Sequence, residues 1–313
     1  MLFGADMERI YDMIIIGGGP AGYTAALYSS RAGFDTLVLE RMAVGGQMTL
    51  TDVIDNYPGF AQGIDGIQLS QNMQQGAERF GTQTMYDEVV SVDLVSEIKE
   101  IETAYSGNLF AKTVVIATGA NPRELGLVNE QELLGAGIHY CAHCDGRFYK
   151  DKVAVVVGGG NSAVSDALYL SHLCKKVYLV HRRDVLRATK IYHEPVMKAQ
   201  NIEFCYNSVV SKVESENGRV SSISLIDVKT NEKREIECDA VFISIGRKPA
   251  TEFLDGQLEL DNGGYIVADE STKTAIDGVF AVGDVRTKVL RQVVTAVSDG
   301  AVAAHYAEEY LSR

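Results

Sequence analysis

A glycine-rich segment occurs twice in this chain, in register. Met13-Ile-Ile-Ile16 runs into GGGPAG and then YTAALYSSRAG; 141 residues later AVVV, from Ala154, runs into GGGNSAVSDALYLSH. The offset holds without a gap through Gly17/Gly158, Gly19/Gly160 and Gly22/Ala163, and Ala26-Leu27-Tyr28 recurs as Ala167-Leu168-Tyr169. Each copy reads as a buried parallel strand, a glycine turn and a helix. In such a unit the first glycine permits the turn, the second lets backbone approach a diphosphate, and the third lets helix pack on strand. The helix N-terminus then presents unpaired N–H groups and the positive end of its dipole to the phosphates. One GxGxxG alone is weak evidence, but two in register predict two Rossmann-like nucleotide-binding domains in an α/β fold.

The repeat also aligns the ends of the two second strands. In the first copy TLVLER places Glu40 where a carboxylate accepts hydrogen bonds from an adenosine ribose. Adding 141 reaches His181, followed by Arg182, Arg183 and, a turn later, Arg187. A carboxylate there repels a 2′-phosphate, whereas arginines bind one bidentately. The first site therefore suits FAD or NAD and the second NADPH. The basic cluster stands out because 29 basic against 42 acidic residues leave a net charge of −13, which opposes non-specific contact with nucleic acid or anionic membrane.

Apolar strands mark the passages between domains. TVVIATGA (Thr113 to Ala120) leaves the first domain, and DAVFISIGRKP (Asp239 to Pro249) repeats its form as the return. One nucleotide domain is thus expected to be inserted in the other: residues 1–118 and 247–313 form the outer domain and 119–246 the inner. Near the end, GVFAVGDVR reads as a strand delivering Asp284 to a turn, and LRQVVTAVSDGAVAAHYAEEYL as a long helix starting near Arg291-Gln292. A length of 313 residues, 46% hydrophobic and 23% charged, fits two soluble domains. The N-terminus has no signal-peptide pattern, no run is apolar enough to span a membrane, and the expected location is the cytoplasm. Met7 is a plausible alternative start.

Between the crossings stands GIHYCAHCDG, with Cys141 and Cys144 in a CxxC. Thiolates serve both zinc binding and disulfide exchange. Zinc needs two more ligands, there is no second CxxC, and His139 and His143, which bracket Cys141, lie too close in sequence to supply them. No metal site is expected. Cys174, Cys205 and Cys238 have apolar neighbours and read as buried small hydrophobes.

With these pieces in order, the chain resembles the low-molecular-weight, bacterial-type thioredoxin reductases over essentially its whole length. The resemblance rests on IIIGGGPAG, GGQMTLTDVIDNYPGF, ATGA, CAHCDG, VVVGGGNSAVSDALYLS, HRRDVLR and AVGDVRTKVLRQVVTAVSDGA. It implies FAD in the outer domain, NADPH in the inner one, a homodimer, and electron flow from NADPH through FAD and the CxxC disulfide to thioredoxin or a thioredoxin-like dithiol protein. It further implies that the inner domain rotates between the half-reactions. Gly17, Gly19, Gly22, Glu40, Gly46, Gln47, Asn56, Gly119, Asp284, Arg291, Gln292 and Val293 would bind FAD. Gly158, Gly160, Ser162, His181, Arg182, Arg183 and Arg187 would bind NADPH. Cys141 and Cys144 would be the redox pair and Asp145 the acid that moves a proton as thiolate becomes thiol; the plainer reading makes Asp145 an Asx-turn residue before Gly146. His143 departs from the usual small residue between the cysteines, and a cation there lowers a thiol pKa. Two other readings remain: electron delivery to an iron–sulfur or flavin protein, against which the CxxC argues, and a nucleotide sensor without turnover.

Overall fold

The computed structural model describes residues 9–51 and 53–313; the alternative start at Met7 lies outside the described residues. The chain divides into two compact units, one running up to Asn121 and resuming over Lys248–Arg313, the other Pro122–Arg247.

The first stretch contains β1 (Ile10–Ile16), α1 (Pro20–Arg31), β2 (Thr36–Glu40), α2 (Gly66–Glu78), β3 (Gln83–Tyr86), β4 (Val89–Asp93), β5 (Lys99–Thr103) and β6 (Gly107–Ile116). The passage into the second unit is β7 (Ala120–Pro122). That unit holds β8 (Ile138–His139), α3 (Ala142–Asp145), β9 (Val153–Val157), α4 (Asn161–Ser171), β10 (Lys176–Val180), α5 (Lys190–Lys198), β11 (Ile202–Cys205), β12 (Ser208–Glu216), β13 (Arg219–Asp227), β14 (Lys233–Glu237) and β15 (Ala240–Ile243). The return is β16 (Arg247–Pro249), followed by β17 (Val279–Ala281) and α6 (Val293–Leu311).

The first unit is built on a seven-stranded sheet ordered β3-β2-β1-β6-β5-β4, with β17 also pairing β6. Strands β1, β2, β3, β6 and β17 run parallel, and β4-β5-β6 is an antiparallel meander. Parallel strands covered on both faces must be apolar throughout, and Met13, Ile14, Ile15, Val114, Val115 and Ile116 are fully buried. Helix α6 packs so closely on α1 that a Cβ on Gly300 would strike the backbone of Ala21 and Ala25.

The second unit has an all-parallel sheet, β11-β10-β9-β15-β8, and the antiparallel β12-β13-β14. In a parallel sheet every strand ends at the same edge. Cys141 follows β8, Gly158 follows β9, His181 follows β10 and Ser244 follows β15, so all four lie along one carboxyl edge, where open α/β sheets bind ligands. Likewise Gly17, Glu40, Ala117 and Asp284 lie at or beyond the carboxyl ends of β1, β2, β6 and β17 in the first unit. The connecting strands β7 and β16 pair as a two-stranded ribbon. The glycines beside them, Gly119 and Gly246, have φ of +69° and +102°.

Candidate functional site: two nucleotide cradles and a disulfide

In the first cradle Gly17 has φ +112°, and a Cβ there would lie 2.5 Å from the Ala117 carbonyl oxygen; no L side chain fits this crossing of β1 and β6. A Cβ on Gly22 would collide with the Gly17 carbonyl, which seats α1 against the turn. Around Gly19, by contrast, nothing lies within 4 Å of a Cβ position, and α1 starts there without a side-chain cap. Unpaired first-turn N–H groups facing open space fit a diphosphate. Glu40 reaches back to the turn, Oε2 accepting from Gly18 N at 2.8 Å and Oε1 from Met42 N at 3.2 Å.

The other residues expected at this cradle come from distant segments. Asn56 Nδ2 donates to Gln292 Oε1 at 2.9 Å across 236 residues. Gln47 Nε2 donates to Asn121 Oδ1 at 3.3 Å, and Gly46, like Gly19, has open space where a Cβ would stand. Val293 is the first residue of α6, and Gln292 caps it through a reciprocal pair of hydrogen bonds with Thr295. Asp284 sits half-buried in the tight turn Gly283–Val285. Arg291 donates to the carbonyls of Asp284 (3.3 Å) and Arg286 (3.0 Å) and lies over the Tyr265 ring.

One supporting cluster was not expected. Asp299, on α6 and 4% exposed, accepts from Gly283 N (2.8 Å), Arg286 Nε (2.9 Å), Arg286 NH2 (2.8 Å) and Lys288 Nζ (2.8 Å). Burial pushes its carboxyl up, but the hydrogen bonds and charges of Arg286 and Lys288 outweigh that and hold it below the usual carboxylate range. Asp299 thereby ties the turn that carries Asp284 to the helix that carries Val293. The only signal in the sequence is a lone acid in the otherwise uncharged run VVTAVSDGAVAAHYA.

The second cradle repeats the geometry with different chemistry. Gly158 has φ +150°, and a Cβ there would meet the Ser244 carbonyl and the Ala163 Cβ. Gly160 heads α4 with open space around it and no side-chain cap, and Ser162 lies exposed in the first turn. His181 takes the place of Glu40, packed so closely on Gly159 that a Cβ would overlap its ring. Burial, then the charges of Arg187, Arg183 and Arg182, push its pKa below the usual imidazole value. Its Nε2 is buried with no hydrogen-bond partner among the described residues, an unfilled valence that fits a ligand acceptor. Arg182, Arg183 and Arg187 are exposed, and the Arg187 backbone is held by Gly159 O at 2.7 Å. The residues thus fit a dinucleotide at both cradles, and at the second one that carries extra phosphate.

Cys141 and Cys144 form a disulfide at the start of α3. Gly146 follows because α4 leaves no room for more, a Cβ there lying 2.7 Å from Leu170 Cδ2. His143 is exposed, its ring 4.3 Å from that of Tyr169. Asp145 is buried; its carboxylate caps nothing in the following turn and instead meets His139 Nδ1 at 3.1 Å. Cys174, Cys205 and Cys238 are free and buried. Burial raises all three thiols, Cys174 to about 11 and Cys238 to about 12, so they stay protonated and inert. Among the described residues no group of His, Cys, Asp and Glu is placed to hold a metal ion.

Two nucleotide cradles of opposite charge and a vicinal disulfide define a dinucleotide-dependent disulfide oxidoreductase. Residues 11–300 match the family described as pyridine nucleotide-disulphide oxidoreductase, and the chain belongs to it. It is 46% identical to a thioredoxin reductase of Treponema pallidum over 97% of this chain and 98% of that protein. Among solved structures it is similar to the thioredoxin reductase of Streptococcus pyogenes (41% identity, TM-score 0.89, covering 97% and 98% of the two chains). It is similar too to that of Giardia duodenalis (37% identity, TM-score 0.92, covering 98% and 100%).

Proposed function

We infer that this protein is a flavoprotein that uses NADPH to reduce the disulfide of thioredoxin or a thioredoxin-like dithiol protein. The observation that carries the reading is the Cys141–Cys144 disulfide on the same sheet edge as the basic cradle, in a unit separate from the acid-ended cradle. The first unit would hold FAD: α1 takes the diphosphate at Gly19, Glu40 the ribose, and the Asp284 turn with Arg291, Gln292 and Val293 the remainder. The second would hold NADPH, with Gly160 and Ser162 at the diphosphate and His181, Arg182, Arg183 and Arg187 at the 2′-phosphate. FAD, when bound, accepts a hydride equivalent from NADPH and passes two electrons to the disulfide. Asp145 supplies the proton that converts one released thiolate to thiol.

The second unit carries both the electron donor's site and the disulfide, yet each must meet the one flavin of the first unit. The reading therefore includes rotation of the second unit between half-reactions, with β7 and β16 and their glycines Gly119 and Gly246 as the hinge. It also includes a homodimer in the cytoplasm; no helix among the described residues is long and apolar enough to cross a membrane. The test is an anaerobic titration of purified, FAD-loaded protein: NADPH should bleach the flavin, and thioredoxin added next should restore its colour and gain thiols. A protein that binds no flavin, or whose reduced flavin is not reoxidised by the disulfide form of thioredoxin or a thioredoxin-like protein, removes the reading.

A further inference from the structure

Beside the disulfide lies a polar cluster that the reading above leaves half unused. His139, Asp145 and Tyr149 are 6%, 7% and 4% exposed. Asp145 Oδ2 is 3.1 Å from His139 Nδ1, and His139 Nε2 is 2.8 Å from the Tyr149 hydroxyl. The imidazole is held on both sides, stacked on Phe242 and edge-on to Tyr149, each with ring centroids 5.2 Å apart. Strand pairing fixes this arrangement, because β8 is registered on β15 with His139 opposite Phe242. At the other end, Asp145 N donates to the Cys141 carbonyl at 3.1 Å, so the carboxylate is tied to the CxxC turn.

We propose that His139 and Asp145 act as one acid–base unit for the Cys141–Cys144 disulfide, with Tyr149 as the positioning residue that serves both protonation states. This rests on the reading of that disulfide as the redox pair. A buried carboxylate alone is costly, but a carboxylate and an imidazole sharing one extra proton are net neutral, whether written as an ion pair or as two neutral groups. Loaded in this way, the pair would keep an exchangeable proton at the residue that follows Cys144 in the chain. Burial pushes the Tyr149 phenol up to about 12, with smaller opposing effects from Arg219 on one side and Asp145 and Asp239 on the other. The hydroxyl therefore stays intact. It accepts from Nε2–H when the pair is loaded and donates to bare Nε2 when the pair is empty. The remaining charged neighbour is Lys152, whose ammonium lies 5.6 Å from the Tyr149 ring centroid.

The proton and electron count closes. The hydride of NADPH supplies two electrons, which would reach the disulfide through the flavin and break the S–S bond, and its proton is released to water. One sulfur takes the shared proton and becomes a thiol; the other remains a thiolate, and Asp145 is left ionised with a hydrogen bond from neutral His139. That thiolate then attacks the partner's disulfide. As the thiol's sulfur closes the Cys141–Cys144 bond again, its proton returns to the pair, and the partner's cysteines leave reduced, taking protons from water.

The test uses FAD-loaded full-length protein and two variants, His139→Asn and Tyr149→Phe. Asparagine can still donate to Asp145 from near the Nδ1 position but carries no titratable proton. Two rates are read from mildly acidic to mildly alkaline pH: flavin bleaching by NADPH, and NADPH-driven thioredoxin reduction. His139→Asn should leave bleaching at the wild-type rate, lower kcat for thioredoxin at least about tenfold, and move its alkaline fall to lower pH. Tyr149→Phe should shift the same limb by less, and it carries the test alone if the asparagine variant fails to retain flavin. A wild-type kcat and pH profile in both variants overturns the proposal, as does a uniform fall in kcat with an unmoved profile, which marks a structural role only. If the wild-type protein bleaches but never reduces a disulfide, it is the assigned function that fails instead.

Discussion

Replacing the buried Asp299 by Asn should damage this protein far more than the same change at an exposed carboxylate, and the structure sets the size of the effect. The substitution removes the negative charge that faces two buried cations. The Arg286 side chain is 1% exposed and the Lys288 side chain 5%, and the other acid near Arg286, Glu270 at 3.7 Å, is 93% exposed and therefore screened. Removing one partner of a buried, hydrogen-bonded ion pair costs about 3–5 kcal/mol. Domains have only about 5–15 kcal/mol in total, and at roughly 2–4 °C per kcal/mol for chains of this class the melting temperature should fall by about 6–20 °C. The Gly283 amide loses its charged acceptor as well, so the turn carrying Asp284 loosens and flavin retention falls along with stability. Thermal unfolding followed by flavin release and by far-ultraviolet circular dichroism reads both effects. A triple variant, Arg286→Met with Lys288→Met and Asp299→Leu, should be less destabilised than Asp299→Asn, because it leaves no charge unpaired. Acid behaviour gives an independent reading. The native carboxyl lies below its unfolded value, so its stabilisation is full above about pH 3.9 and disappears as pH falls through the native value. The variant should show a flatter acid limb. A melting temperature within about 2 °C of wild type, with flavin retained, would refute the argument.

Other expectations are as direct. Arg182→Ala with Arg183→Ala should weaken NADPH binding by several kcal/mol at roughly 1.5–3 per charge-assisted contact, while NADH binding barely moves; an unchanged NADPH preference would show that the cluster is not the selector. Substituting Cys141 or Cys144 by Ser should leave NADPH able to bleach the flavin and stop reduction of the thioredoxin disulfide; retained reduction would rule out the disulfide route. Burial and the neighbouring arginines hold the His181 pKa below the usual imidazole value in the free protein, and a phosphate dianion beside its unfilled Nε2 would raise it on binding. NADPH affinity should therefore rise as pH falls from about 8 to about 6, NADH affinity should stay flat, and His181→Gln should abolish the slope; equal slopes for the two nucleotides would refute the assignment. Finally, a cross-link fixing the second unit with its disulfide at the flavin should permit thiol–flavin exchange and block reduction by NADPH; full turnover in the locked protein would show that no rotation is needed.

The parts of the fold that were legible in the sequence are those where one local rule acts alone. Strands buried on both faces must be continuously apolar, so β1, β9, β15 and β17 show directly, and the fingerprint glycines stand where backbone crosses backbone. The strands that escaped do so for identifiable reasons. In β12 the pairing shifts between Val210 and Lys212, so that the buried residues are Val210 and Val213, three apart, and the two-residue period that would mark a strand is broken. The first half of β6, Gly107 to Ala111, pairs antiparallel with β5 and is only partly buried, so the apolar signal starts at Thr113. At the site, the cysteines and the basic cluster are visible because several telling residues sit side by side. Asp299 with Arg286, and His139 with Tyr149, are visible only once a turn or a strand pairing has brought them together. His139 read alone offers only a poor metal ligand; in the fold its partners are Asp145 and a phenol ten residues away.

The two cradles show how one backbone solution serves two ligands. In both copies the middle glycine touches the residue that ends the second strand, Gly18 through a hydrogen bond to Glu40 and Gly159 through van der Waals packing on His181. The contact is kept, while the acid gives way to a histidine followed by Arg182 and Arg183; on the proposed reading this exchange turns a site that repels a 2′-phosphate into one that binds it. At the third position a Cβ on Gly22 would strike the Gly17 carbonyl, whereas in the second copy the Ala163 Cβ lies against the position a Cβ on Gly158 would take. On the proposed reading the repeated cradle provides two dinucleotide sites. The chemistry that distinguishes this chain stands on the carboxyl edge of the second sheet, where β8 delivers His139 and then the disulfide. On the proposed reading, the electron donor's site and the electron acceptor belong to one unit and the flavin to the other, and the proposed rotation would let each meet the flavin in turn.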